Sequence, residues 1–307
     1  MQAGSSKCME APNEAFTSCG LGISVEYFDF RTFSDPVRKE NQKNCDADHG
    51  FFCAFSLHCK ENTADLCRNM SGKERKVGMR KCTWKEAAAL DLFSGLPREL
   101  LEEITKMGKC VEYRKKECVF RAGEKVRTVY VVMEGEVMLY NLTKHGNRKI
   151  IFFLGQGRLL NHNICNTRPV SVFCESVSPA VLLCIPLEVF QKCMEESAVL
   201  TKRVLCEYER YIWRLSHQLK NTAGNLLIER KIAAKLWKLG RDFGVSGPEG
   251  IKIDLELTMT VLADYVGVPR ETVSRACQNL GKKGLLVYRN RRFLLPDPDG
   301  LAVFYKV

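Results

Sequence analysis

The stretch Leu257-Thr-Met-Thr-Val-Leu-Ala-Asp-Tyr-Val-Gly-Val-Pro-Arg-Glu-Thr-Val-Ser-Arg-Ala-Cys-Gln-Asn-Leu-Gly-Lys-Lys-Gly-Leu-Leu286 decides how the chain is read. Apolar Val261, Leu262 and Val266 predict one short helix. Gly267 stands where a tight turn needs positive φ, and Pro269 suits the first turn of a second helix. In that helix Val273, Cys277 and Leu280 recur at i, i+4 and i+7, which gives it one buried face. The opposite side carries Arg270, Glu271, Thr272, Ser274 and Arg275. Arg bonds guanine O6 and N7 bidentately and Glu accepts from cytosine N4, so this edge has the chemistry of a DNA-reading helix.

Just downstream, Leu285 to Tyr288 and Arg292 to Leu295 flank Arg289-Asn290-Arg291, a turn that predicts a basic β-hairpin wing. Residues 270–292 hold seven basic side chains against one acidic, so Arg289, Arg291 and Arg292 are expected on phosphate. Upstream, Leu187 to Asn221 reads as one long helix. Its Leu200, Val204, Tyr208, Tyr211, Leu215 and Leu219 step close to a heptad seam, which predicts pairing with a twin helix. Short β-rich runs precede it: Glu117 to Phe120, Val129 to Met133, Val137 to Tyr140, Ile150 to Leu154, Val170 to Phe173 and Val181 to Ile185. Turn signals at 122–124, 134–136, 145–147 and 155–157 separate them, as in a small barrel or β-roll. Leu96, Leu100, Leu101, Ile104 and Met107 mark a helix before the strands, and 244–250 reads as a loop.

Gly-Val-Pro-Arg-Glu-Thr-Val-Ser-Arg275 resembles the recognition-helix signature of the Crp/Fnr superfamily. The resemblance extends over most of 88–307: Gly123-Glu124 followed by Val129-Tyr-Val-Val-Met-Glu-Gly-Glu-Val137 is similar to that family's β-roll. It implies an α+β chain in four parts. These are a cysteine-rich N-terminal extension (1–85), a cyclic-nucleotide-binding-like β-roll sensor (86–190), a dimerisation helix (191–223) and a winged helix-turn-helix (224–307). It further implies a homodimer on palindromic double-stranded DNA, with Arg270, Glu271 and Arg275 reading a TGTGA-like or TTGA-like half-site, and RNA polymerase as a further partner. Ser274 resembles the Fnr side of the family.

The signal sensed is less legible. A cyclic nucleotide needs a Gly-Glu pair for the ribose and an Arg followed by a small hydroxyl residue for the phosphate. Residues 157–171 lack the pair, and Arg168 is followed by Pro169, which has no N–H to give. A small organic effector is preferred. Leu159, Leu160, Ile164, Val170 and Val172 make an apolar setting beside Tyr130, with Arg168, His162 or Lys149 as polar anchor, as in the halorespiration regulators that this region resembles. Redox or oxygen sensing is the alternative. Cys45, Cys53, Cys59 and Cys67 could hold an iron–sulfur cluster, although the Fnr-type distant ligand falls in register on Leu183, with Cys184 one residue late. Zinc on Cys45, His49 and Cys53 lacks any Cys-x2-Cys knuckle. Thiols beside cations, at Cys59-Lys60, Cys67-Arg68 and Lys81-Cys82, offer a regulatory disulfide. Cys110, Cys118, Cys174, Cys184, Cys206 and Cys277 read as small core hydrophobes or inert surface thiols, and no cofactor at all remains open.

Bulk properties agree. The 307 residues carry a net charge of +11, which favours a polyanionic partner. No run of about 18 apolar residues predicts a membrane span, and Met1 to Phe16 lack the pattern of a secretory signal, so a cytoplasmic location with its 15 cysteines reduced is expected. P-loop and Gly-x-Ser-x-Gly motifs are missing, and no enzyme is expected.

Overall fold

The β-branched and aromatic runs pair into two four-stranded antiparallel sheets. The computed structural model describes residues 78–165, 168–223 and 227–306. Cys45, Cys53, Cys59 and Cys67 lie outside the described residues. In chain order the strands are β1 (Met79–Arg80), β2 (Lys109–Tyr113), β3 (Cys118–Phe120), β4 (Thr128–Glu134), β5 (Val137–Leu142), β6 (Arg148–Leu154), β7 (Phe173–Ser176) and β8 (Ala180–Pro186). One sheet has the order β1-β2-β8-β4 and the other β3-β7-β5-β6. Strand alternation divides their side chains between two cores. Val132, Leu182, Leu139, Phe152 and Leu160 pack inside the roll. Val131, Leu183 and Ile185 turn to the helices on its outside. Leu183 and Cys184 therefore belong to different faces, as their one-residue offset requires.

The strand read at Val170 to Phe173 begins later, at Phe173. Val170 spends its backbone on the neighbouring turn instead: it accepts from Gly123 N at 2.7 Å and donates to Glu124 O at 3.0 Å. At the β4–β5 turn Gly135 has φ +76°, and a Cβ there would lie 2.3 Å from Pro179 O. Only glycine closes that hairpin.

Among the described residues, four α-helices flank the roll. Thr83 and Glu86 form a capping box that starts α1 (Trp84–Ala88). Pro97 caps α2 (Arg98–Met107) from outside rather than sitting in its first turn. The long helix expected from Leu187 to Asn221 is two. These are α3 (Leu187–Glu196) and α4 (Ala198–Ala223), broken where Ser197 is extended (φ −130°, ψ 102°) and its hydroxyl accepts from Leu200 N at 3.3 Å. The seam is also in a different phase. Leu200 and Val204 are fully buried and Tyr208 packs beside them, all against the outer core of the chain's own roll. Tyr211 donates its hydroxyl to Leu159 O. The side left outward is Leu205, Ile212 and Leu219, exposed by 60, 65 and 70% and spaced by seven, with Leu215 between them.

The C-terminal unit comprises α5 (Ile228–Phe243), β9 (Gly244–Gly247), β10 (Gly250–Ile253), α6 (Met259–Val266), α7 (Arg270–Lys282), β11 (Val287–Arg289), β12 (Arg292–Leu295) and α8 (Pro298–Lys306). The segment read as a loop at 244–250 is a tight β9–β10 hairpin, and it completes a sheet ordered β11-β12-β10-β9. Ile232, Leu236, Leu262, Val273, Leu280, Phe293 and Leu301 are its buried centre.

This core is continuous with the roll. Met138, Tyr140, Ile150, Phe153 and Val177 join it from β5, β6 and the residue after β7, and the Phe153 ring meets Tyr265 edge-on at 5.1 Å. Lys235 of α5 is caught in the junction with its ammonium 3.9 Å above the Tyr265 ring. Burial, then the charges of Lys149 and Arg214, hold its pKa down to about 8. The unfolded lysine keeps its proton to higher pH, so stability rises with pH between about 8 and 10.5 as the unfolded chain binds the extra proton. Lys235→Met should stabilise the protein by roughly 1 kcal/mol at pH 7 and flatten that rise. Thermal melts across pH 7–10.5 check both, and an unchanged slope in the variant would contradict the assignment.

Candidate nucleic-acid interface

The side chain of Thr258 accepts from Val261 N at 3.2 Å and opens α6. The helix stops at Gly267, whose φ of +84° is the left-handed turn that its type supplies; its N–H donates to Ala263 O at 2.7 Å. Pro269 precedes α7 as its cap, one residue outside the position read from sequence, and its carbonyl accepts from Val273 N at 3.1 Å. Val273, Ala276, Cys277 and Leu280 face the core. Arg270, Glu271 and Arg275 are exposed on the other side, with Thr272 and Ser274 half-buried beside them. Among the described residues no carboxylate pairs with Arg270 or Arg275, so their guanidinium groups are unspent. Glu229 of α5 anchors the far end of α7 by accepting from Asn279 (2.8 Å) and Lys283 (3.2 Å), which holds its carboxyl below the usual range.

The wing is a two-residue hairpin. Arg289 pairs with Arg292, and Asn290 (φ +51°) and Arg291 (φ +59°) both take the left-handed region, as a type I′ turn requires. Arg289 is exposed. Arg291 and Arg292 are instead tied to acids: Arg291 Nη1 lies 3.0 Å from Glu256 Oε1, and Arg292 meets Asp254. Glu256 also holds Lys115 of the roll. Neither acid could be assigned from sequence, since the ion pairs span 35, 38 and 141 residues. Arg291→Ala should weaken binding to every duplex sequence by a similar factor and lower the slope of log affinity against log salt by about 1. Filter binding at several salt concentrations would read this; a sequence-selective loss would overturn it.

Two family models match. The cyclic nucleotide-binding domain matches residues 110–197 and the Crp-like helix-turn-helix domain residues 230–304, together more than half of the chain. The chain belongs to the Crp/Fnr-type transcription regulators. It is 21% identical over 210 residues to the fumarate and nitrate reduction regulatory protein of Escherichia coli strain K12, covering 65% of this chain and 81% of that one. It is 24% identical over 194 residues to the global nitrogen regulator of Synechococcus elongatus, covering 62% and 87%. Its fold matches a CooA mutant from Carboxydothermus hydrogenoformans with a TM-score of 0.58 at 21% identity, over 74% of this chain and 98% of that one.

Within the regulator's roll, the place of the cyclic-nucleotide phosphate does not fit that ligand. Leu159 and Leu160 are fully buried, Leu159 toward the outer helices and Leu160 in the interior, no Gly-Glu pair stands in residues 157–171, and Pro169 offers no N–H beside Arg168. The effector candidates come from several segments of the roll. Tyr130 and Leu160 share the inner core, where burial pushes the Tyr130 hydroxyl up to about 12. His162 lies on the adjoining loop, 3.0 Å from Ser171 Oγ, with Arg168 exposed nearby in sequence. Lys149 is exposed at the junction and acts on Lys235.

The cysteines read as core hydrophobes or inert surface thiols divide: Cys110, Cys174 and Cys277 are buried, Cys184 is half-buried, and Cys118 and Cys206 are exposed. Cys82 is buried, not a reactive surface thiol: its hydrogen bond with Cys110 and its burial push it up, while Lys81 beside it in sequence faces outward. No group of three or more His, Cys, Asp or Glu among the described residues could hold a metal ion, and no helix among them is long and apolar enough to cross a membrane.

Proposed function

We propose that the regulator binds palindromic double-stranded DNA as a homodimer, each protomer placing α7 in a major groove. Arg270, Glu271, Ser274 and Arg275 read base edges there, Thr272 supports them, and Arg289 holds phosphate, joined by Arg291 and Arg292 as they exchange Glu256 and Asp254 for the DNA backbone. The observation that carries this is the exposed edge of α7, on which Arg270 and Arg275 have no carboxylate partner among the described residues, beside a basic wing. A TGTGA-like or TTGA-like half-site is the expected target, and RNA polymerase the expected downstream partner. The outward Leu205–Ile212–Leu219 stripe supplies the apolar face on which two copies of α4 would pair.

The signal is a small molecule in the roll. Its interior is apolar, and the apolar junction beneath the DNA-binding unit gives a bound effector a route to α7. For this to regulate, the effector must bind the DNA-competent arrangement more tightly than the other. A redox reading is favoured by one observation: two buried thiols, Cys82 just after β1 and Cys110 on β2, lie on neighbouring segments where Arg80 pairs with Cys110. DNase footprinting on a palindromic library-selected site, with candidate effectors and with reductant or oxidant, tests the set. Identical protection throughout would reject the sensing role, and no protection of any selected site would reject DNA reading.

A further inference from the structure

Where the roll, α4 and α5 meet there is an open cleft of about 750 Å³. Five cations from three elements converge on it: Arg158 after β6, Arg210 and Arg214 on α4, and Lys238 and Arg241 on α5. Two carboxylates tie up four of them. Asp242 holds Arg214 at 3.0 Å and Lys238 at 2.8 Å; Glu207 holds Arg158 at 2.9 Å and Arg210 at 3.5 Å. Arg241 has no carboxylate partner among the described residues and lies 5.1 Å from the Trp237 ring. Arg210 and Arg241 are exposed, and so is Trp213 on the same wall. Glu134 and Glu136 also line the cleft, but Glu136 is engaged by Ser178.

We propose that this cleft is a second ligand site, separate from the interior of the roll, and that it takes a small polyanion carrying two or more phosphate or carboxylate groups. Its size is that of sites for nucleotide- to drug-sized molecules. Arginine forks bind such oxyanions bidentately; Arg241 faces the opening with no carboxylate partner among the described residues, and Arg210 faces it with only the longer, 3.5 Å contact to Glu207. Gly155 in its wall lets the Phe243 ring approach; a Cβ there would lie 3.1 Å from it. Because the site is built from the sensor, the α4 helix and the first helix of the DNA-binding unit, an occupant would brace all three against one another. That regulatory consequence rests on the DNA-binding reading above; the binding itself does not.

Isothermal titration calorimetry of the full chain with inorganic tripolyphosphate and, separately, with citrate distinguishes phosphate from carboxylate. At least one of the two should bind saturably, one per protomer. The double variant Arg210→Ala/Arg241→Ala removes two exposed side chains and should weaken that binding about tenfold or more, since each charged hydrogen bond contributes roughly 1.5–3 kcal/mol. Thermal melts of the variant confirm that it folds. Arg168→Ala, on the roll's own loop, and Arg289→Ala, on the wing, should each bind as the parent does. The proposal fails if neither anion binds, if the double variant binds like the parent, or if Arg168→Ala or Arg289→Ala causes the larger loss.

Discussion

Ile212→Asp should convert the regulator from dimer to monomer and reduce its affinity for a palindromic site by about 10²-fold or more. Ile212 is 65% exposed on α4, midway between Leu205 and Leu219, so an aspartate there disturbs nothing inside the protomer. In a pairing of two α4 helices it would instead put two carboxylates face to face in an apolar seam, without partners. Loss of the pair separates the two half-site contacts. Joined modules gain roughly 10²–10⁴ over single ones, and that gain disappears once simultaneous engagement is impossible. Sedimentation equilibrium gives the mass and gel shift the affinity. The control is Val204→Asp, on the inward side, which should destabilise the roll because Val204 is fully buried. A dimer that persists in Ile212→Asp would place the subunit contact elsewhere.

The contrast between Ile212 and Val204 shows where the sequence could be read and where it could not. A heptad-like step is visible in Leu200, Val204, Tyr208 and Tyr211, but periodicity gives only the existence of a buried stripe, not its partner. Here α4 carries two stripes. The one noticed packs on the chain's own roll, and the true outward one shares Leu215 and Leu219 with the expected seam. The helix-turn-helix was legible because its constraints are local: a left-handed Gly267, a proline at the start of the second helix, apolar residues at i, i+4 and i+7, and a hairpin turn at Asn290-Arg291. The β9–β10 hairpin was missed because Gly244 to Gly250 reads as loop composition, although its pairing is fixed by β12 from far downstream. The junction was invisible for the same reason. Phe153 and Tyr265 are 112 positions apart, Glu256 and Lys115 are 141 apart, and nothing in either neighbourhood announces the other.

Lys149, a cation on a roll strand, also lies close enough to α5 to help depress Lys235. The roll therefore has two working surfaces. Its interior, with Tyr130 and Leu160, is apolar and inward; its outer sheet is the seat of the DNA-binding unit. Phe152 packs in the interior, and the next residue on β6, Phe153, turns to the outer face, where its ring touches Tyr265 of α6.

Arg275→Ala should cost about 1–3 kcal/mol of binding to the preferred site, roughly 5- to 150-fold, and should relax selectivity at one base position in each half-site. Arg275 is exposed one turn beyond Glu271 on α7, and the opposite face of that turn is fixed by Val273, Ala276 and Cys277 in the core. Truncating it leaves the helix seated, so a loss of affinity reports a loss of contact. The selectivity readout separates this residue from the wing. An arginine on phosphate is felt equally by all sequences, whereas one forked onto guanine O6 and N7 is felt only where that guanine is present. Competition of the parent and variant proteins against half-site sequences changed one base at a time would measure it. The expected pattern is a parent that discriminates at every position and a variant that no longer distinguishes bases at one. A variant uniformly weaker at all positions would move Arg275 to the phosphate backbone, and α7 would then cross the groove at a different angle from the one its exposed edge implies.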